Sequence, residues 1–149
     1  MKLSFARSLD CKRNVMIREH LRGRGIRNQA VIETMREVPR EAFIDEDMAE
    51  LAYEDYPLAI AGGQTISQPY IVAYMTEVLE LYKTDQVLEI GTGSGYAAAV
   101  LSRIVTTVYS VGRLGELVQS ARERLRLLGY TNIIIHEGDG TLGWEEHAP

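Results

Sequence analysis

With one cysteine in 149 residues, this chain can form no internal disulfide. Cys11 lies beside Lys12 and Arg13, and such cations lower a thiol pKa, yet no catalytic partner stands near it in the sequence. No apolar run approaches the roughly 18 residues that signal a membrane span. Met1–Arg7 opens like a secretion leader, but Arg7, Asp10, Lys12 and Arg13 leave no room for the apolar segment a leader needs. The expectation is therefore a cytoplasmic protein without membrane contact. Internal repeats and low-complexity stretches are absent. His20, His136 and His147 share no ligand spacing, so no metal site is expected.

What is present suits one domain with a substantial core: 46% apolar and 25% charged residues. The net charge of -5 is unevenly spread. Residues 1–27 carry eight Lys or Arg against two acids, and residues 28–149 carry eight against nineteen. A basic arm of this kind can touch nucleic acid. Here it lacks interleaved aromatics and its cations follow a helical pattern, so it reads as a solvated helix face and not as a nucleic-acid surface.

The pattern predicts a helix over 12–24, ending near Gly23 and Gly25, and a second helix capped by Asn28, with Val31, Ile32 and Met35 on one face and Pro39 after it. Residues 41–53 read as short helical pieces and 54–66 as an irregular loop. Ser67 or Gln68 caps a further helix with Pro69 in its first turn, running to about Leu81 with Val72, Met75, Val78 and Leu79 turned inward. From there strand and helix alternate. Strands are predicted at Gln86–Ile90, Val105–Val111 and Asn132–His136, with helices at Tyr96–Arg103 and from Leu114 to Leu128. Such units imply a parallel sheet covered on both faces.

The stretch Glu89-Ile90-Gly91-Thr92-Gly93-Ser94-Gly95-Tyr96 joins the first of these strands to its helix. Gly91 allows a tight turn, Gly93 lets a ligand approach the backbone, and Gly95 permits close helix–strand contact. The spacing is G-x-G-x-G, which argues against a standard dinucleotide site. A carboxylate at Glu89 would repel a pyrophosphate but suits a cationic ligand, and S-adenosyl-L-methionine carries both an ammonium and a sulfonium. The end of the next strand usually supplies an acid for the ribose hydroxyls. Here it reads Val111-Gly112-Arg113, without one; taken alone Gly112-Arg113 suggests a site for a ribose 2′-phosphate and hence NADP, the alternative being that Arg113 is a solvated residue starting the next helix. Asp139, in Gly138-Asp139-Gly140 after the third strand, is placed either to accept from an adenine amino group or simply to form a turn.

Read together, these residues resemble the protein-L-isoaspartate (D-aspartate) O-methyltransferase family. Met16-Ile17-Arg18-Glu19-His20-Leu21, Arg24-Gly25-Ile26, Val38-Pro39-Arg40-Glu41-Ala42-Phe43 and Gly63-Gln64-Thr65-Ile66-Ser67-Gln68-Pro69-Tyr70 follow in the family order, before the glycine turn and Gly138-Asp139-Gly140. The resemblance starts near residue 12 and is taken to span only the N-terminal two-thirds of the family. It implies methyl transfer from S-adenosyl-L-methionine to the free α-carboxylate of L-isoaspartyl residues in damaged proteins, with such proteins or peptides as partners. It implies that Ser67 is the active-site serine, that Gln64, Thr65 and Ile66 line a cleft beside the cofactor, and that Glu89, Gly91, Thr92, Gly93, Gly95, Gly112, Asp139 and Gly140 surround the cofactor.

The fold expected is α/β, a Rossmann-like methyltransferase fold with an N-terminal helical region, truncated after the third strand because the family continues past Pro149. Residues 1–83 would form the helical region with its covering loop, and residues 84–149 the first, incomplete half of the Rossmann-like domain. Such a chain would expose the outer edge of Gln86–Ile90 and self-associate or aggregate through it. Gly112 stands where the family carries its ribose-binding acid, and Ala59 and Ala61 where its loop has Pro and Gly. Two other readings remain open: an NADP-dependent oxidoreductase, and a non-catalytic methyltransferase-like domain that binds damaged peptides.

Overall fold

The computed structural model describes residues 2–147. Met1 and Ala148–Pro149, where the sequence suggested the start of a leader and the approach to a further strand, lie outside them. The chain opens with α1 (Lys2–Val15), which widens into a π-helical turn over Met16–Leu21 and tightens over Arg22–Arg24 before stopping at Gly25. Helix α2 (Gln29–Glu37) starts where Asn28 accepts from the Ala30 and Val31 N–H groups, as an N-cap requires. Val31, Ile32 and Met35 are buried from its inner face. Short 3₁₀ turns follow at Arg40–Phe43 and Glu46–Leu51.

The expected loop over 54–66 contains order that its sequence hides. β1 (Leu58–Ala59) and β2 (Thr65–Ile66) pair antiparallel, Leu58 with Ile66 and Ala59 with Thr65. Helix α3 (Pro69–Val78) follows. Then come β3 (Gln86–Ile90), α4 (Tyr96–Ser102), β4 (Thr107–Gly112), α5 (Gly115–Leu127) and β5 (Ile133–Glu137). β3, β4 and β5 form a parallel sheet in that order, with Ile90 beside Val111 and Gly112 beside Glu137 at the carboxyl ends.

Three expectations need correction. The fold is not one cut after a third strand: five strands in two sheets stand among the described residues, because the β1–β2 pair adds a second sheet. Nor is the parallel sheet covered on both faces. Val108, Ser110 and Ile135 are buried on the side of α5, whereas Leu88, Ile90 and Ile134 remain well exposed on the other. The inward face of α3 also differs. Val72 is 5% exposed, but Met75, Val78 and Leu79 are 61%, 56% and 53% exposed. α3 is apolar nearly all round, so its period does not say which side packs. Val72, Ala73 and Thr76 meet α2 and the π-helical turn, and Glu77 accepts from the Arg27 and Asn28 N–H groups.

One apolar cluster joins the helical region to the sheet. It runs from Met16, Leu21, Ile32 and Met35 through Phe43 to Tyr96, Val100 and Val108. The Thr34 hydroxyl donates to the Val100 carbonyl at 3.0 Å, pinning α2 to α4. This packing brings the β1–β2 pair over the carboxyl ends of β3 and β4.

Candidate active site

At the end of β3 the backbone turns sharply. Gly91 and Gly95 have φ of 101° and 87°, a region in which side chains are strained. A Cβ on Gly95 would sit 3.2 Å from Leu125 Cδ1 and 3.4 Å from Ala121 Cβ, so this glycine sets how closely α5 packs. A Cβ on Gly91 would meet nothing within 4 Å, and the space in front of it is open to a ligand. The Gly91 and Thr92 N–H groups both bond to the Val111 carbonyl, which fixes the turn against β4.

Two cavities flank this turn. The larger, about 190 Å³, is lined by Gln64, Thr65, Gly91, Thr92, Gly93 and Gly112, with Arg113, Leu114, Leu117 and Val118 at its far side. The smaller, about 50 Å³, shares Thr65 and Gly91–Gly93 and adds Ile66, Ser67, Glu89, Ser94 and Tyr96. Most of the residues singled out in the sequence therefore meet in one cleft. Gly95 lies behind it as a packing residue. Asp139 lines a separate hollow with His136 and Trp144, and Gly140 packs against Ile90, where a Cβ on it would lie 2.3 Å from Ile90 Cγ2. The Asp139 carboxylate is engaged by the Thr141 N–H and hydroxyl, which hold its pKa below the usual range.

Glu89 is the chemically loaded group of the cleft. Burial pushes its carboxyl up to about 7, against the opposing effect of a hydrogen bond donated by the Ser110 hydroxyl. Ser110 spends its only proton on Glu89, so the 2.7 Å contact between Thr92 Oγ1 and Ser110 Oγ is donated by Thr92. The result is a relay from the glycine turn to the carboxylate. Ser110 escaped the sequence reading. Its one signal is a small polar residue inside the apolar strand Val108-Tyr109-Ser110-Val111.

Ser67 sits between β2 and α3. The cap position falls on Gln68, not on Ser67, and no side chain caps the helix locally. The Ser67 hydroxyl bonds to no other described residue, is exposed, and faces the smaller cavity. The cleft thus combines a free hydroxyl, a half-buried carboxylate whose pKa is pushed up to about 7, and bare backbone at a glycine turn. Among the described residues no group of His, Cys, Asp and Glu is placed to hold a metal, and no helix is long and apolar enough to cross a membrane.

The chain is similar to known proteins in sequence and fold. A sequence model of protein-L-isoaspartate(D-aspartate) O-methyltransferase matches residues 11–149. Protein-L-isoaspartate O-methyltransferase 2 of Pelobacter propionicus is 70% identical over 149 residues, covering 100% of this chain and 66% of that protein. Protein-L-isoaspartate O-methyltransferase 1 of Geotalea uraniireducens is 64% identical, covering 100% and 68%. A solved protein-L-isoaspartate O-methyltransferase superposes with a TM-score of 0.79 at 32% identity, over 92% of this chain and 45% of that one. A putative one from Plasmodium falciparum, solved in complex with S-adenosyl-L-homocysteine, gives 0.70 at 26%, over 90% and 66%. The chain thus spans about two thirds of the length of these curated relatives. The expectation that the likeness is confined to an N-terminal two-thirds is corrected, since the match runs through residue 149 and both curated relatives align along the whole chain. With a family model matched over residues 11–149 and two curated relatives of 70% and 64% identity aligned along the whole chain, this chain belongs to the protein-L-isoaspartate (D-aspartate) O-methyltransferase family.

Proposed function

We propose that this protein transfers a methyl group from S-adenosyl-L-methionine to the free α-carboxylate of L-isoaspartyl residues, a repair reaction on damaged proteins and peptides. The observation that carries this reading is the meeting of Ser67 and Glu89 on one cavity beside the Gly91–Gly93 turn. The cleft fits the cofactor: open space before Gly91 admits close approach to backbone, and Glu89 offers an anionic wall to a cation. Bound there, S-adenosyl-L-methionine supplies a methyl group already activated by its sulfonium.

The residues then have little chemistry to perform. A carboxylate is deprotonated at pH 7, so no general base is required. The unengaged Ser67 hydroxyl donates to one oxygen of the substrate carboxylate and orients the other for attack. Thr65 and Ile66, held by the pairing of β2 with β1, fix the approach, and closure of this segment excludes water. In this reading residues 1–83 supply the covering segment and residues 84–149 the cofactor-binding part.

The test is transfer of labelled methyl to an isoaspartyl peptide with the normal aspartyl peptide alongside. Transfer to the isoaspartyl peptide alone is expected, and Ser67→Ala should lower kcat about 10–100-fold, as loss of one orienting group does. Binding of the isoaspartyl peptide without transfer would favour the non-catalytic reading. Arg113 beside Gly112 in the larger cavity keeps a second reading in play, an NADP-dependent oxidoreductase. Tighter binding of NADP than of S-adenosyl-L-methionine would select it.

The outer edge of β3 is unpaired among the described residues, and Leu88 and Ile90 are exposed on that strand. We read this edge as a route of self-association. Sedimentation coefficients should rise with concentration, and a concentration-independent monomer would reject it. A cytoplasmic setting accords with the exposed free thiol of Cys11 and is checked by cell fractionation.

A further inference from the structure

We infer that Asp55 is the positioning residue for Ser67, acting as a clamp on the turn between β2 and α3. The inference rests on the role proposed above for Ser67. Asp55 precedes β1, and nothing in its sequence neighbourhood marks it. Its Oδ1 accepts from the Tyr70 N–H at 3.3 Å. Its Oδ2 accepts from Gln68 Nε2 at 2.9 Å and pairs with Arg24 Nη1 at 2.7 Å. Its backbone carbonyl takes a second bond from Gln68 Nε2 at 2.9 Å. Arg24 in turn lies over the Tyr70 ring, 3.6 Å from its centroid.

The arrangement answers a local deficit. Pro69 has no N–H, so Tyr70 presents the first free donor of α3, and no local side chain caps it. Asp55 caps it from a distant loop. The carboxylate side chain is only 15% exposed, where charge-assisted bonds are strong. On the other flank of Ser67, the backbone is fixed by the pairing of Thr65 with Ala59 and by the bond from the Ile60 N–H to the Gln64 carbonyl. Ser67 therefore stands between two anchored points, its backbone fixed and its hydroxyl free. Methyl transfer demands alignment of three atoms, and displacement of such a group by about 1 Å costs about 10²-fold in rate.

Asp55→Asn, Gln68→Glu and the double variant test the clamp. In Asp55→Asn, when the new side-chain carbonyl accepts from the Tyr70 N–H, its amide group faces that of Gln68, donor against donor. Gln68→Glu opposes two carboxylates. The double variant restores the side-chain donor–acceptor pair in the reverse sense, though not the bond to the Asp55 backbone carbonyl. Two readouts are needed: hydrogen exchange at the Tyr70 amide against amides of the β4–β5 ladder, and kcat with KM for S-adenosyl-L-methionine. Each single variant is expected to speed Tyr70 exchange at least tenfold with the ladder unchanged, and to lower kcat at least tenfold with KM within twofold. The double variant should recover part of both losses.

Unchanged Tyr70 exchange, or equal acceleration everywhere, overturns the clamp. Faster Tyr70 exchange with full kcat overturns its positioning role. If the unaltered chain transfers no methyl group, the Ser67 reading falls. Exchange then decides the clamp alone: recovery in the double variant upholds it and failure to recover rejects it.

Discussion

Affinity for S-adenosyl-L-methionine should fall about tenfold for each pH unit below about 7 and level off above it. The cause is Glu89, whose burial raises its carboxyl to about 7 while Ser110 donates the one bond that favours the charged form. A cation binds the ionised carboxylate, so below about 7 the ligand must first displace a proton, at about 1.36 kcal/mol per pH unit. Stability of the ligand-free protein runs the other way. The folded value lies above the ordinary 4.5, so the neutral form is favoured on folding. That contribution is fully present below about 4.5 and is lost as pH rises towards 7. For this half-buried group it amounts to at most about 3 kcal/mol. Calorimetric titration from pH 5.5 to 8, with melting of the free protein over the same range, should give crossing profiles. Glu89→Gln should flatten both and weaken binding at pH 8 by at least tenfold. Binding that does not vary with pH, with a normal Glu89→Gln, would remove Glu89 from the ligand site.

Much of this cleft could be read without coordinates, for reasons specific to each element. β3 is an apolar run bounded by turn residues, α5 repeats its apolar side chains at the helical period, and Asn28 is a strong N-cap residue. The glycine turn announces itself because few chemistries need three glycines after an acid near a strand end. Other features leave no local trace. β1 and β2 have two residues each, too short for alternation to show. α1 begins at Lys2, ten residues before the helix expected from sequence, because its first turns carry no clear apolar stripe. The exposed side of α3 is as apolar as its buried one. Asp55 reaches Gln68 and Tyr70 across 13 and 15 residues, a distance at which spacing says nothing about contact. Ser67 and Glu89 were legible as residues, but their meeting on one cavity follows from how the β1–β2 pair docks over β3.

Gly112→Glu alone should lower stability by about 1–3 kcal/mol, the cost of overpacking a filled site, and leave cofactor affinity within tenfold of its starting value. An acid here is placed to take the ribose hydroxyls, and each charge-assisted bond would contribute about 1.5–3 kcal/mol. The obstacle is space and not backbone conformation, since Gly112 has no positive φ. A Cβ on it would lie 2.8 Å from Val118 Cγ2, 2.9 Å from Thr92 Oγ1 and 3.0 Å from Thr92 Cβ. Both neighbours are buried, and pushing Thr92 aside breaks the donor relay through Ser110 to Glu89. Gly112→Ala, with no acid to contribute, should therefore destabilise the fold and weaken binding. Trimming the obstacle reverses the balance: Gly112→Glu in a Val118→Ala background should bind S-adenosyl-L-methionine at least tenfold more tightly than Val118→Ala alone. Denaturant melts and calorimetry on the four variants separate packing from binding. If Gly112→Glu tightens binding tenfold at no cost in stability, the site has more room than its neighbours indicate. If the double variant binds no better than Val118→Ala, the ribose does not lie against position 112, and the larger cavity holds the ligand in another orientation.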